Sequence, residues 1–153
     1  GRTAGILLSR QNLPVFDRTI CAPATGVANG AYILKDVANP QAILIATGSE
    51  VSLAIDAQTA LAAEGIHVRV VSAPCLEWFA EQDQAYKSSV LSPNVVKISI
   101  EVGIAQGWRE LIGDSGVAIS LEHYGASADA KTLFKEFGFS VENVVAQVKK
   151  AIK

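Results

Sequence analysis

At 153 residues, half of them hydrophobic and 18% charged, the chain has the size and composition of one packed domain, not of a disordered segment. A formal net charge of -2 without any Lys/Arg cluster excludes the basic face that nucleic-acid binding requires. No apolar run approaches the ~20 residues that span a bilayer, and neither Cys21 nor Cys75 has a Cys or His at metal-ligand spacing.

A chain of this length buries roughly 68–70% of its unfolded surface, so neither a disulfide nor a metal is needed to hold it. The two cysteines therefore read as free thiols of a reducing compartment. No signal-peptide pattern opens the chain, and the expectation is a cytoplasmic protein. The apolar run Ala4-Gly5-Ile6-Leu7-Leu8 stands alone at the start. It reads as the last strand of a domain whose other strands lie elsewhere. Residues 15–30 are rich in Pro, Gly, Ala and Thr, as in a linker between domains.

From residue 31 strands and helices alternate. A short strand is expected over 31–34, closed by the turn signal Asn39-Pro40. Residues 42–46 are continuously apolar, the pattern of a strand covered on both faces. A helix follows over 49–64 and stops at Gly65. The expectation continues with a strand at 68–71, a helical or partly irregular stretch at 76–91, and a strand at 95–100. A short helix over 108–112 ends at Gly113, before a strand at 117–121. Helices over 130–137 and 141–152 close the chain, the second with Val141, Val144, Val145, Val148, Ala151 and Ile152 on one face. Such alternation predicts an open three-layer α/β/α fold around a mostly parallel sheet of about five strands.

Candidate chemistry is sparse. Thr47-Gly48-Ser49-Glu50 stands where a strand meets a helix, and exposed N–H groups there suit an anion. The spacing of Thr47 and Glu50 also fits a capping box, the simpler reading, since Glu50 would repel an anion. Gly125-Ala126-Ser127-Ala128-Asp129 reads in the same two ways, as a ligand loop or as a turn with Ser127 or Asp129 capping a helix. His67 and His123 have no Ser or Cys placed to act with them, so no triad is legible. Trp78, Phe79 and Tyr86 read as core or interface anchors. Arg10 follows an expected strand at its carboxyl end, where open α/β sheets place ligands, and could clamp a phosphate with two parallel hydrogen bonds. A surface arginine explains the same position.

The string Ser9-Arg10-Gln11-Asn12-Leu13-Pro14 resembles the end of the pyrimidine-binding domain of transketolases. The resemblance continues through residues 30–36, through the segment 46–54 containing Thr47-Gly48-Ser49-Glu50, and through Arg69-Val70-Val71-Ser72-Ala73-Pro74. It ends with Glu101 and Gly103, Trp108 and Gly113, Tyr124-Gly125-Ala126-Ser127, and Phe137-Gly138-Phe139. It departs at Asp129 and Ser92, where the family often has Pro, and at Tyr124, where it often has Phe.

The resemblance implies that residues 1–29 are the end of a preceding domain plus linker, and that 30–153 form a transketolase C-terminal domain with an antiparallel edge strand at 31–34. It implies a homodimeric enzyme that moves a two-carbon ketol unit between sugar phosphates, using thiamine diphosphate and magnesium held by upstream domains of the same chain. No catalytic, cofactor-binding or metal-binding residue would then lie in this chain. Arg10 would bind the substrate phosphate. An equivalent domain of deoxyxylulose-phosphate synthase or of an oxo-acid dehydrogenase β chain, and a free-standing anion-binding module, are the alternatives.

Overall fold

The computed structural model describes residues 3–153. Its centre is β2 (Ala42–Ala46), in which all five residues are buried. Ala42, Leu44 and Ala46 face one hydrophobic cluster and Ile43 and Ile45 face another, the two-sided burial expected of a continuous apolar strand. On either side of β2 lie β3 (Val68–Ser72) and β4 (Val96–Ile100), both parallel to it. Register places Leu44 between Val70 and Ile98. The edges are β1 (Tyr32–Lys35), antiparallel to β3, and β5 (Val117–Ile119), parallel to β4. The five-strand order is β1-β3-β2-β4-β5. The mostly parallel sheet with one antiparallel edge is the fold expected from the sequence.

One face is covered by α1 (Glu50–Ala63) and α6 (Val141–Ala151). In α1, Val51, Ala54, Ala57 and Leu61 recur at helical spacing and are all buried. In α6, Val144 and Val148 meet the same cluster, and Lys149 pairs with Glu64 beside the end of α1. The other face is covered by α2 (Leu76–Ala80), α3 (Gln84–Val90) and α4 (Arg109–Ile112), with Phe79, Val90, Trp108 and Ile112 as the buried anchors. Last before α6 comes α5 (Ala130–Glu136), which buries no residue.

Two stretches differ from expectation, and a third is resolved in detail. Residues 76–91, expected to be helical or partly irregular, form two helices because Asp83 caps afresh, its Oδ1 accepting from the Tyr86 N–H at 2.7 Å. The linker-like stretch carries a 3-10 helix, Ala24–Asn29, and packs down. Cys21 is buried in the core, and the Ala22 N–H donates to the Leu34 carbonyl at 2.8 Å. Residues 4–8 form no strand: Ile6, Leu7 and Leu8 are 83%, 96% and 85% exposed. A strand needs ladder partners and an apolar surface, and this segment meets neither among the described residues. Both cysteines are free. No helix among the described residues is long and apolar enough to cross a membrane.

Two glycines with positive φ separate backbone conformation from close packing. Gly65, at φ 76, ends α1 in open space, whereas Gly30, at φ 81, lies against the backbone of Cys75, Trp78 and Phe79. Alanine at 65 meets only the left-handed backbone penalty and should cost about 1 kcal/mol. Alanine at 30 adds a clash with immovable backbone atoms and should cost about 3 kcal/mol or more. Urea denaturation of the two variants measures the difference. Equal losses would refute the close approach at Gly30.

Candidate functional site

The connections of the sheet diverge between two neighbouring strands. From the carboxyl end of β2 the chain runs through α1 to β3, on one side; from that of β4 it runs through α4 to β5, on the other. Such a switch point opens a crevice at the carboxyl edge, the usual place for a ligand in an open α/β sheet. Residues 47–50 border it after β2, and Glu101 borders it directly after β4, since Ala46 and Ile100 are register partners.

The crevice is acidic. Glu50 is only 4% exposed, and its Oε1 accepts from the Ser49 hydroxyl at 2.8 Å. Glu101 has a buried Oε2 without a hydrogen-bond partner. Burial raises the Glu50 pKa above the usual carboxylate value, against the lowering effect of Ser49. Glu101 is pushed up to about 7, first by burial and then by the negative charge of Glu50. Two interacting carboxyl groups resist simultaneous ionisation, so at neutral pH Glu101 retains part of its proton.

The capping box expected from Thr47 and Glu50 does not form. Gly48, at φ 57, extends the turn, so α1 begins only at Glu50, with Ser49 in the cap position and no side-chain cap bond. A capping box needs the glutamate three residues into the helix; here it is the first helical residue and turns inward. The cap expected at Asp129 does form. Its Oδ1 accepts from the Thr132 N–H at 3.0 Å and its Oδ2 from the Thr132 hydroxyl at 2.6 Å, which also lower its pKa. The loop 125–129 is thus a helix entrance bordering an apolar cavity that also includes Val102, Leu121 and Phe134.

Arg10 is exposed and stands with Ser9 and Gln11 on the rim of an open cavity of about 500 Å³, whose other walls include Ser49, Glu50, Val102 and Ala130. The structure therefore gathers Arg10, the 47–50 turn and the entrance of α5 at one end of the sheet. Arg10 makes no ion pair among the described residues. The two histidines stay apart from this arrangement. The His67 backbone N–H donates to Gln41 Oε1, and the His123 ring stands edge-on to Phe137 and bonds through Nδ1 to the Tyr124 carbonyl. Neither ring meets a serine or cysteine among the described residues. Of the aromatic anchors, Phe79 is fully buried and Tyr86 donates its hydroxyl to the Ala31 carbonyl at 2.9 Å.

Glu101 as a partner of Glu50 is the feature that sequence reasoning missed. Its one local signal was a glutamate immediately after a buried strand, and only the parallel register brings it level with the residues after β2.

Comparison with known proteins adds a second line of observation. Residues 30–140 match the model of the transketolase-like C-terminal domain family. The chain is 50% identical over 155 aligned residues to a transketolase of Mycobacterium tuberculosis strain H37Rv, covering 97% of this chain and 22% of that protein. It is 46% identical to transketolase 1 of Escherichia coli K12, covering 99% of this chain and 23% of that protein. Among solved structures, a Pichia stipitis transketolase in complex with sedoheptulose 7-phosphate superposes with a TM-score of 0.85 at 36% identity, over 94% of this chain and 20% of that one. The chain thus spans about a fifth of the length of these relatives.

The acidic pair makes stability depend on pH in a defined direction. The folded pKa of Glu101 lies above its ordinary value of 4.5, so the folded state binds more protons between pH 4.5 and about 7. Stability from this group is full below pH 4.5 and is lost as pH rises through 7. The loss is about 1–2 kcal/mol once solvent screening at its exposed side is discounted. Glu101→Gln should therefore stabilise the chain at pH 8 and leave it nearly unchanged at pH 4, in urea denaturation at each pH. An equal effect at both values would show that the raised pKa is absent.

Proposed function

The chain belongs to the transketolase C-terminal domain family, and on that premise we propose that it works as the C-terminal domain of a transketolase. Such an enzyme moves a two-carbon ketol unit between sugar phosphates. The observation that carries the reading is 50% identity to a curated transketolase across 97% of the chain, including the segment before residue 30 that the family model does not cover. The relatives reported above are all transketolases, which favours this reading over another thiamine-diphosphate enzyme or a free-standing anion module.

In this proposal residues 30–153 are the domain proper, and 1–29 are the end of a preceding domain with its linker. The exposed Ile6, Leu7 and Leu8 then become a strand only when the rest of that domain supplies ladder partners. The assembled enzyme is a cytoplasmic homodimer, and no catalytic residue is assigned to this chain.

Thiamine diphosphate binds through a divalent metal, normally magnesium, and supplies the carbanion chemistry of ketol transfer. The residues present here do not fit it. Among the described residues no three His, Cys, Asp or Glu converge as a metal site. Glu50 and Glu101 are a poor substitute, because Glu101, with its pKa near 7, is still partly protonated at neutral pH. The cofactor and its metal are therefore assigned to other domains of the enzyme.

Arg10 is this chain's contribution to the substrate. Its position in the 9–14 string, its exposure and the absence of a carboxylate partner among the described residues support a guanidinium free to clamp a sugar phosphate. That a related transketolase was solved with a sugar phosphate supports the substrate class.

In an assembled transketolase carrying this chain, Arg10→Ala should lower kcat/KM for phosphorylated substrates about ten- to two-hundred-fold, as for losing a hydrogen bond to a charged group. The loss should lie mostly in KM, since a phosphate remote from the reacting carbons is bound alike in ground and transition states. Arg10→Lys should restore part of it. Unphosphorylated substrates should be nearly unaffected; an equal loss for them would make Arg10 structural.

A further inference from the structure

A second polar site lies near the amino end of the sheet, away from Arg10. In β4, Lys97 stands level with Ile43, on the face that carries the cluster of Ile43, Ile45 and Phe79. A lysine on the inner face of a central strand is exceptional, because burial there penalises its charge. Lys97 is half-buried, and its Nζ donates to the Val95 carbonyl at 2.9 Å and to the Pro93 carbonyl at 3.4 Å. These carbonyls orient two N–H bonds but bring no compensating charge, and no carboxylate lies within ion-pair distance among the described residues. The third N–H is left for another acceptor.

Lys97 also lines a cavity of about 340 Å³ bounded by α2, α3 and α4, large enough for a small organic molecule. Lys87 and Glu110 also line it, with Ser88 as a further polar group. Phe79 and Leu111 contribute apolar wall. Two lysines against one glutamate leave one uncompensated positive charge. A singly charged anion balances it, whereas a phosphate dianion would overcompensate and meet Glu110. The desolvated lysine fits this vacancy of charge, since burial lowers its pKa and a bound anion would raise it again.

We propose that the cavity between β4 and helices α2, α3 and α4 binds a small monocarboxylate with an apolar body, its carboxylate held by Lys97. The site is separate from the sugar-phosphate reading of Arg10 and stands whether or not that reading holds.

The test is an NMR titration of the 153-residue chain with benzoate, inorganic phosphate and benzyl alcohol, following the Lys97 side-chain signals and the amides of α3 and α4. Benzoate should produce saturable shifts there and raise the pKa of Lys97. Inorganic phosphate lacks the apolar body and benzyl alcohol lacks the charge, so each should bind about tenfold more weakly or worse. K97Q should abolish the saturable benzoate shifts while leaving the spectrum of α1 and α6 in place. Absent or non-saturating benzoate shifts overturn the proposal, as does binding of phosphate or benzyl alcohol as tight as that of benzoate. Unchanged benzoate affinity in K97Q would do the same. The wild-type titration decides the matter alone should K97Q not fold.

Discussion

Everything in this fold depends on burying β2 on both faces. A strand with no polar residue cannot lie at an edge or face water, so it must be flanked by strands and covered by helices above and below. Parallel neighbours follow, because helices long enough to cover a face also return the chain to the same end of the sheet. Parallel strands in turn place their carboxyl ends together. The turn after β2 and the glutamate after β4 thus come to share one crevice, although about fifty residues separate them in sequence.

The crevice combines two requirements that conflict electrostatically. The sheet end is apolar enough to bury Glu50 and one oxygen of Glu101, while the pair carries the same charge. Proton retention resolves the conflict in the described chain, at the cost of pH-dependent stability. Ionising such a pair costs stability, which is the pH dependence expected of Glu101. In the proposed transketolase this edge faces the rest of the enzyme, reached through the segment that bears Arg10.

The fold was largely legible because its signals are local. The apolar run of β2, the stop at Gly65 and the one-sided valines of α6 each fix an element by composition and period. The break at Asp83 was less visible, since an aspartate inside a helical run announces a new cap only when the preceding turn has already ended. Arg10 stands out in the sequence by its place after an apolar run, although the run itself stays unpaired and exposed among the described residues. The capping reading of Thr47 and Glu50 failed on a single backbone feature, the extra turn at Gly48. The roles of Glu101 and Lys97 are not legible in the sequence for a different reason. Their meaning lies in neighbours that only register and packing across the sheet bring near.

In the proposed transketolase, the carboxyl edge and the segment leading to Arg10 form the face that meets the catalytic remainder of the enzyme. Hydrogen exchange of the amides of residues 4–10 and 101–104, compared between this chain alone and an assembled transketolase carrying it, tests this most directly. Residues 4–10 should exchange fast in the isolated chain, where they pair with no strand among the described residues, and be strongly protected in the assembled enzyme, with slower exchange at 101–104 as well. Equally fast exchange of both segments in the two states would contradict it.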